Sequence, residues 1–227
     1  MSPTAPPATP AAGAVELIPV LAPLAPPDGE PAVTVLQAGY LGYDKYHPEW
    51  GQRTANSTVT LIRAGGRTIL VDTGLDDARL LAGLAAAGVA PAAVDTVVLT
   101  HTHGDHYRSV HLLPGARLLA SGPEVVAWRG RGAPDRTLLE RLLPTPTDLA
   151  PGVRLLLTPG HTAGSATVLV AQAGQLVAVA GDAVDSRDFF VRREPSHNAI
   201  DPPARIRVTV LLAVRCPHSG WYLSYPR

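Results

Sequence analysis

Six consecutive residues, His101-Thr102-His103-Gly104-Asp105-His106, carry three imidazoles and a carboxylate. Neutral imidazole nitrogen and carboxylate oxygen suit a divalent cation such as Zn²⁺, which imposes little geometry of its own. The segment follows directly on DTVVLT (Asp95–Thr100), a continuous apolar run of the kind that forms a strand buried on both faces. A loop leaving a rigid strand can turn alternate side chains toward one point, so His101 and His103 project together in extended backbone. Gly104 then permits a sharp turn that re-aims Asp105 and His106 at a neighbouring point. The spacing therefore favours two adjacent metal positions over one. A single loop histidine is ordinarily a surface residue, but that reading does not account for this density of ligand types after a core strand.

Two later positions support the site. His161 lies in Thr158-Pro159-Gly160-His161-Thr162, and Asp182 lies in Ala180-Gly181-Asp182-Ala183, each just past an apolar strand. Either one alone is an ordinary turn. Together they put three polar clusters at equivalent strand ends, where α/β folds place their sites.

The elements that must position these residues alternate between strand and helix. Strands are expected at Ala32–Gln37, Ser57–Arg63 and Arg67–Asp72, the last two joined by an Ala-Gly-Gly turn. A helix is expected over LDDARLLAGLAAAG, with apolar residues at Ala78, Leu81, Leu84 and Ala85 and a stop at Gly88. Further strands are expected at Ala116–Ala120 and Val153–Thr158, and two more over SATVLVAQAGQLVAVAGD, joined at Ala173-Gly174. A helix opens at Pro123, and another covers Asp135–Leu143 until Pro144 stops it. GYLGYDKYHPEWGQ reads as a loop.

Length and composition bound the rest. A chain of 227 residues, with 46% hydrophobic and 17% charged residues, is the size of one α/β domain with a substantial core. Residues 1–30 are rich in Pro and Ala and read as an extended, poorly ordered tail, leaving 31–227 as the folded domain. Lys+Arg and Asp+Glu both number 19, which gives no support to a nucleic-acid surface. The single cysteine, Cys216, allows neither an internal disulfide nor a Cys-rich zinc module. No signal peptide and no run of roughly 18 apolar residues is evident, so the expectation is a cytoplasmic protein with no membrane span. The oligomeric state is not legible.

The motifs resemble those of the metallo-β-lactamase superfamily. THTHGDH (Thr100–His106) is similar to its HxHxDH signature, ILVDTG to its strand-ending VDTG, TPGHTAGS to its GHTxGS element, and AGDA to its bridging-aspartate turn. The matches run in family order from Val33 to Asp201. The resemblance implies a four-layer αβ/βα sandwich with metals at one sheet edge. It implies that His101, His103 and His161 hold a first zinc, that Asp105 and His106 hold a second, and that Asp182 bridges them. Asp72 would orient a ligand histidine by accepting its other ring N–H. The family's final ligand comes from a Pro-Gly-His-Gly turn. Here His218 in Pro217-His218-Ser219-Gly220 is the nearest match, with one residue of the turn missing, and His197 is a weaker substitute. The preceding ARIRVTVLLAV alternates like a strand at Arg205–Val210, so a shortened or disrupted C-terminal part is left open.

The chemistry implied is hydrolysis of a small molecule. Two cations can share a water and lower its pKa from about 15.7 toward about 7, and the hydroxide attacks an ester, thioester, lactone, amide or phosphodiester. Asp105 is the natural residue to orient that water and move its proton. No GxSxG elbow is present to supply a serine nucleophile. Tyr107 and the Tyr40–Trp50 loop are candidates for contact with substrate, although packing is the blander reading of Tyr107. Arg187, Arg192 and Arg193 are either an anion-binding group or a solvated face. The alternatives are a mononuclear iron oxygenase on the same fold and a catalytically impaired domain lacking a complete second site.

Overall fold

The computed structural model describes residues 31–131, 140–194 and 199–201. Two β-sheets dominate it. The first has six strands in the order β1 (Ala32–Gln37), β2 (Val59–Ala64), β3 (Arg67–Val71), β4 (Thr96–Val98), β5 (Arg117–Ala120) and β6 (Leu142–Pro144). β1, β2 and β3 pair antiparallel, and β3 to β6 run parallel. The β2–β3 turn has positive φ at both Gly65 and Gly66, the conformation that a two-residue hairpin of right-handed twist requires. The second sheet is antiparallel, in the order β10 (Gln175–Val179), β9 (Ala166–Gln172), β8 (Val153–Leu157) and β7 (Asp148–Ala150).

Alternation of side chains along each strand builds two cores. One face of the first sheet presents Ile62, Ile69, Val71, Val98 and Leu119 to Val153, Leu155, Val168 and Val170 of the second sheet. The other face presents Leu61, Leu70, Val97, Leu99 and Leu118 to helices α1 (Asp77–Ala86) and α3 (Gly122–Gly130). Both faces of β3, β4 and β5 are therefore apolar, which explains the unbroken hydrophobic run before His101. A one-turn helix, α2 (Gly104–Tyr107), lies between them, and α4 (Arg187–Arg192) follows β10, where Phe190 and Ala178 pack on Ala183. The architecture is the expected α/β sandwich. Among the described residues no helix is long and apolar enough to cross a membrane.

Two expectations need correction. Leu142 and Leu143 do not extend a helix; they form β6 beside Leu118 and Leu119, and residues 132–139 lie outside the described set. Leucines of high helix propensity are recruited there by an open parallel edge, a tertiary gain that outweighs the local preference. In α1 the buried residues are Leu80, Gly83 and Leu84, while Leu81 is 40% exposed. Alanines occur all round this helix, so period alone did not fix its inner face. Gly83 fixes it: a Cβ there would lie 2.9 Å from Leu36 Cβ and 3.0 Å from Leu36 O. The tail over residues 1–30 and the segment 202–227 lie outside the described residues.

Gly83→Ala is a direct test of this close approach. Helix propensity alone favours alanine by about 1 kcal/mol, but the added methyl meets the β1 backbone. We expect net destabilisation of about 1–3 kcal/mol, the usual range for overpacking, read as a lower urea midpoint. A raised midpoint would show that α1 is free to shift off β1.

Candidate metal centre

The parallel strands deliver the first ligand group. β3, β4 and β5 stand in level register, with Val71 opposite Val98 and Val98 opposite Leu119, so the segments that follow them leave from one edge. Asp72 follows β3 with φ 58°, in the left-handed region, and donates its own N–H to Val98 O at 2.9 Å. Its carboxylate is 2% exposed and accepts from Thr100 N, Thr100 Oγ1 and His106 Nδ1, each at 2.8 Å. Because Thr100 gives its hydroxyl proton to Asp72, its oxygen accepts from His101 Nδ1 at 3.2 Å. Each ring thus commits its Nδ1 side to this network and presents Nε2 to the centre. The chain crossing is pinned by Thr73 N to His106 O at 2.8 Å and Ser109 N to Gly74 O at 3.2 Å.

The second sheet supplies the rest. His161 sits in the β8–β9 connection, which Ala166 N ties to Thr100 O at 2.9 Å. His161 Nε2 lies 2.9 Å from His103 Nδ1. Asp182 follows β10. Its Oδ2 is 3.3 Å from His161 Nε2 and 3.9 Å from His101 Nε2, and its Oδ1 is 3.3 Å from His106 Nε2. Gly181, at φ 52°, admits this approach, since a Cβ there would fall 2.6 Å from Thr100 Oγ1. Two ligand-like groups result, His101/His103/His161 and His101/His106/Asp182, each with its donor atoms within 4.8 Å of one another. One Asp182 oxygen faces each group, as a bridging carboxylate requires. Asp105 stands at the rim, 23% exposed at its side chain, with Oδ2 3.7 Å from His106 Nε2.

Burial decides the protonation states. It drives His101 well below the usual imidazole range, with His106 adding to the effect, and it lowers His103. Both shifts favour the neutral ring, the form that binds a cation. Burial also opposes charge on His106, but Asp72 and Asp182 prevail and hold its pKa well above the usual value. A cation at Nε2 would thus displace a proton. Burial pushes Asp182 up, yet His106, His101 and His161 hold it well below the carboxylate range. Asp72 is raised by burial, against the pull of His106. His101 Nε2 and His106 Nε2 are buried and face Asp182, at 3.9 and 3.3 Å. Buried nitrogens of this kind, converging with a carboxylate, fit a cation that prefers N and O donors.

The structure thus brings together His101, His103, Asp105, His106, His161 and Asp182, with Asp72 behind them. His218, His197 and Cys216 lie outside the described residues. Gly104 plays a different part from that expected: its φ is not positive, and it begins α2, so a helical turn re-aims Asp105 and His106. Tyr107 is packing, 8% exposed and edge-on to Trp128 at 5.1 Å. Arg187, Arg192 and Arg193 are exposed, and Arg192 lies over the Tyr46 ring at 4.6 Å. The Tyr40–Trp50 loop is fastened to α4 by His47 to Asp188 at 3.1 Å and to the residues just after it by Tyr46 Oη to Glu194 at 2.5 Å.

Sequence reasoning passed over Thr100 and Glu124. Nothing distinguishes Thr100 from any strand-ending threonine. Ser121-Gly122-Pro123-Glu124 has the spacing of a helix capping box, which announces the start of α3 but not the destination of the carboxylate.

Two substitutions separate these roles. Asp72→Asn keeps the side-chain shape and tolerates positive φ, but removes the charge behind His106. Zinc affinity should fall about 10- to 100-fold in chelator competition. Gly104→Ala meets nothing within 4 Å and should bind zinc as the parent protein does; a large loss would restore a conformational need for glycine.

Comparison with known proteins agrees with this geometry. The family model of the Metallo-beta-lactamase superfamily matches residues 53–216. The chain is 35% identical over 206 residues to human "Metallo-beta-lactamase domain-containing protein 1", covering 83% of this chain and 71% of that protein. Among solved structures it is similar to the hydrolase AbOPH of the beta lactamase superfamily, with a TM-score of 0.59, 20% identity, and 80% and 78% of the two chains covered. It is also similar to AidC, a dizinc quorum-quenching lactonase, with a TM-score of 0.59, 21% identity, and 70% and 68% covered. A match spanning residues 53–216, on a sandwich that gathers the HxHxDH, GHTxGS and bridging-aspartate segments at one edge, means that this chain belongs to the metallo-β-lactamase superfamily.

Proposed function

We propose that this chain is a zinc-dependent hydrolase with a two-cation centre. The observation that carries the reading is the convergence of four imidazoles and Asp182 into two overlapping donor groups, with the His101 and His106 Nε2 atoms buried and turned to Asp182. His101, His103 and His161 would hold the first cation. Asp105 and His106 would hold the second, with His218 as the proposed remaining ligand, and Asp182 would serve both. When bound, such a pair supplies an acidified water as nucleophile and stabilises negative charge developing on the attacked group.

The protein's own contribution is orientation and proton handling. Asp72 and Thr100 fix which nitrogen of His106 and His101 faces inward. The imidazole floor is dry, with the His101, His106 and His161 side chains 0–2% exposed, whereas Asp105 and Asp182 are 23% and 27% exposed. Substrate therefore arrives from the carboxylate side. Asp105 is the rim group placed to accept a proton from the attacking water and to pass it to the leaving group. The substrate is a small molecule with an ester, thioester, lactone, amide or phosphodiester centre, in a protein of the cytoplasm.

Metal analysis of protein produced in metal-balanced medium should give close to two zincs per chain, with turnover of at least one substrate in a panel of those bond types. One iron per chain with oxygen consumption would overturn the assignment, as would a folded, zinc-loaded protein silent across the panel. Asp105→Asn should lower kcat by about 100-fold or more while the fold persists, the scale on which general acid–base groups act.

A further inference from the structure

The three histidines of the first donor group come from two separate segments, 100–106 and 158–165, and one buried carboxylate touches both. Glu124 is 0% exposed. Its Oε1 accepts from Thr102 N at 2.9 Å and from Thr102 Oγ1 at 2.5 Å. Its Oε2 accepts from Thr162 Oγ1 at 2.6 Å. Thr102 stands between His101 and His103, and Thr162 directly follows His161.

The surrounding geometry shows that this contact is built rather than incidental. Glu124 occupies the third position of α3, and Ser121 Oγ caps the helix by accepting Glu124 N at 3.1 Å. A glutamate at this position commonly turns back to its own N-cap. Here it turns away, to the two threonines. Ser121 Oγ also donates to Gly164 O at 2.5 Å, so the helix start grips the second segment twice. Gly164 allows the approach, since a Cβ there would lie 2.1 Å from Glu124 N. Ser165 Oγ accepts Thr162 N at 2.8 Å and lies 2.7 Å from Thr162 Oγ1, which orients that hydroxyl toward Glu124. Every hydrogen bond Glu124 accepts comes from a neutral donor. Neutral donors from both segments thus converge on the two oxygens of one buried side chain.

We propose that Glu124 is a positioning residue for the metal centre, clamping the two ligand-bearing segments through Thr102 and Thr162 so that His101, His103 and His161 meet. The inference rests on the metal-dependent reading above. It gives Glu124 no contact with substrate or cation. Its effect is on the distance between the segments.

The test is zinc affinity of the folded protein, measured by competition with a chromogenic chelator and compared with apo-protein stability. Glu124→Gln keeps the volume but loses the charge and one acceptor. Thr162→Val removes one donor, and Thr162→Ser returns it. Glu124→Gln and Thr162→Val should each raise the zinc dissociation constant about tenfold or more, and Thr162→Ser should recover most of that loss. Cobalt bound in place of zinc should show a changed visible spectrum in the first two variants. Thr162→Val carries the test if Glu124→Gln does not fold. Parent protein that binds zinc, beside variants that bind within twofold of it, overturns the clamp and leaves the metal reading standing. Parent protein that takes up no zinc overturns both.

Discussion

A histidine ring taken out of water has two nitrogens to satisfy, and the fold itself settles one side of each inner ring. Asp72 and Thr100 bind the Nδ1 sides of His106 and His101, and the buried Nε2 sides turn to Asp182, at 3.3 and 3.9 Å. At 3.9 Å the His101 nitrogen makes no hydrogen bond, and an unanswered buried polar atom costs on the order of 1–3 kcal/mol. The fold tolerates that cost because Asp72 is fixed from several sides. Its backbone adopts a conformation that few residue types accept, yet its N–H is paired with β4 and its carboxylate takes three donors. Strain and unsatisfied polarity gathered at one point mark a place where structure serves chemistry.

That point is rigid because two sheets meet there. The inter-sheet core runs from Ile62 and Val71 to Val168 and Val170, and close-packed interiors of this kind resist small displacements. Ala166 N to Thr100 O joins the start of β9 to the end of β4, one residue before His101. A histidine from the first sheet and another from the second are therefore placed by the same core, although 58 residues separate His103 from His161 in sequence.

Much of this is legible without coordinates, for a physical reason. Residues that bind a cation are few in type, and a buried strand has a distinctive run of apolar residues, so a dense His/Asp segment after DTVVLT points to both a candidate site and its scaffold. Two further polar turns after apolar strands, β8 and β10 of the second sheet, extend the argument to His161 and Asp182. The failures are equally physical. The inner face of α1 is hidden by alanines that suit any environment, and it is chosen by a glycine pressed against Leu36. Leu142 and Leu143 have helical propensity but are captured by a parallel edge. Gly104 invites an explanation by flexibility where an ordinary helical turn suffices. Glu124 carries the spacing of a cap, and only the fold shows that its carboxylate goes elsewhere.

The balance of charge at the centre bears on what it can accept. Asp72, Asp105, Asp182 and Glu124 surround four rings, of which burial holds His101 and His103 down while carboxylate neighbours hold His106 up. Four carboxyl groups gathered round four imidazoles favour a cation over an anion. On the metal-dependent reading, two divalent ions would reverse that preference, and the Asp182–Asp105 rim would be the boundary between an electropositive interior and solvent. The arginines on and after α4 do not replace this effect: they are exposed, and Arg192 rests on Tyr46. Attraction of an electron-rich carbonyl or phosphoryl oxygen thus falls to the loaded centre itself. Metal loading then sets both the reactivity of the site and its preference for substrate charge.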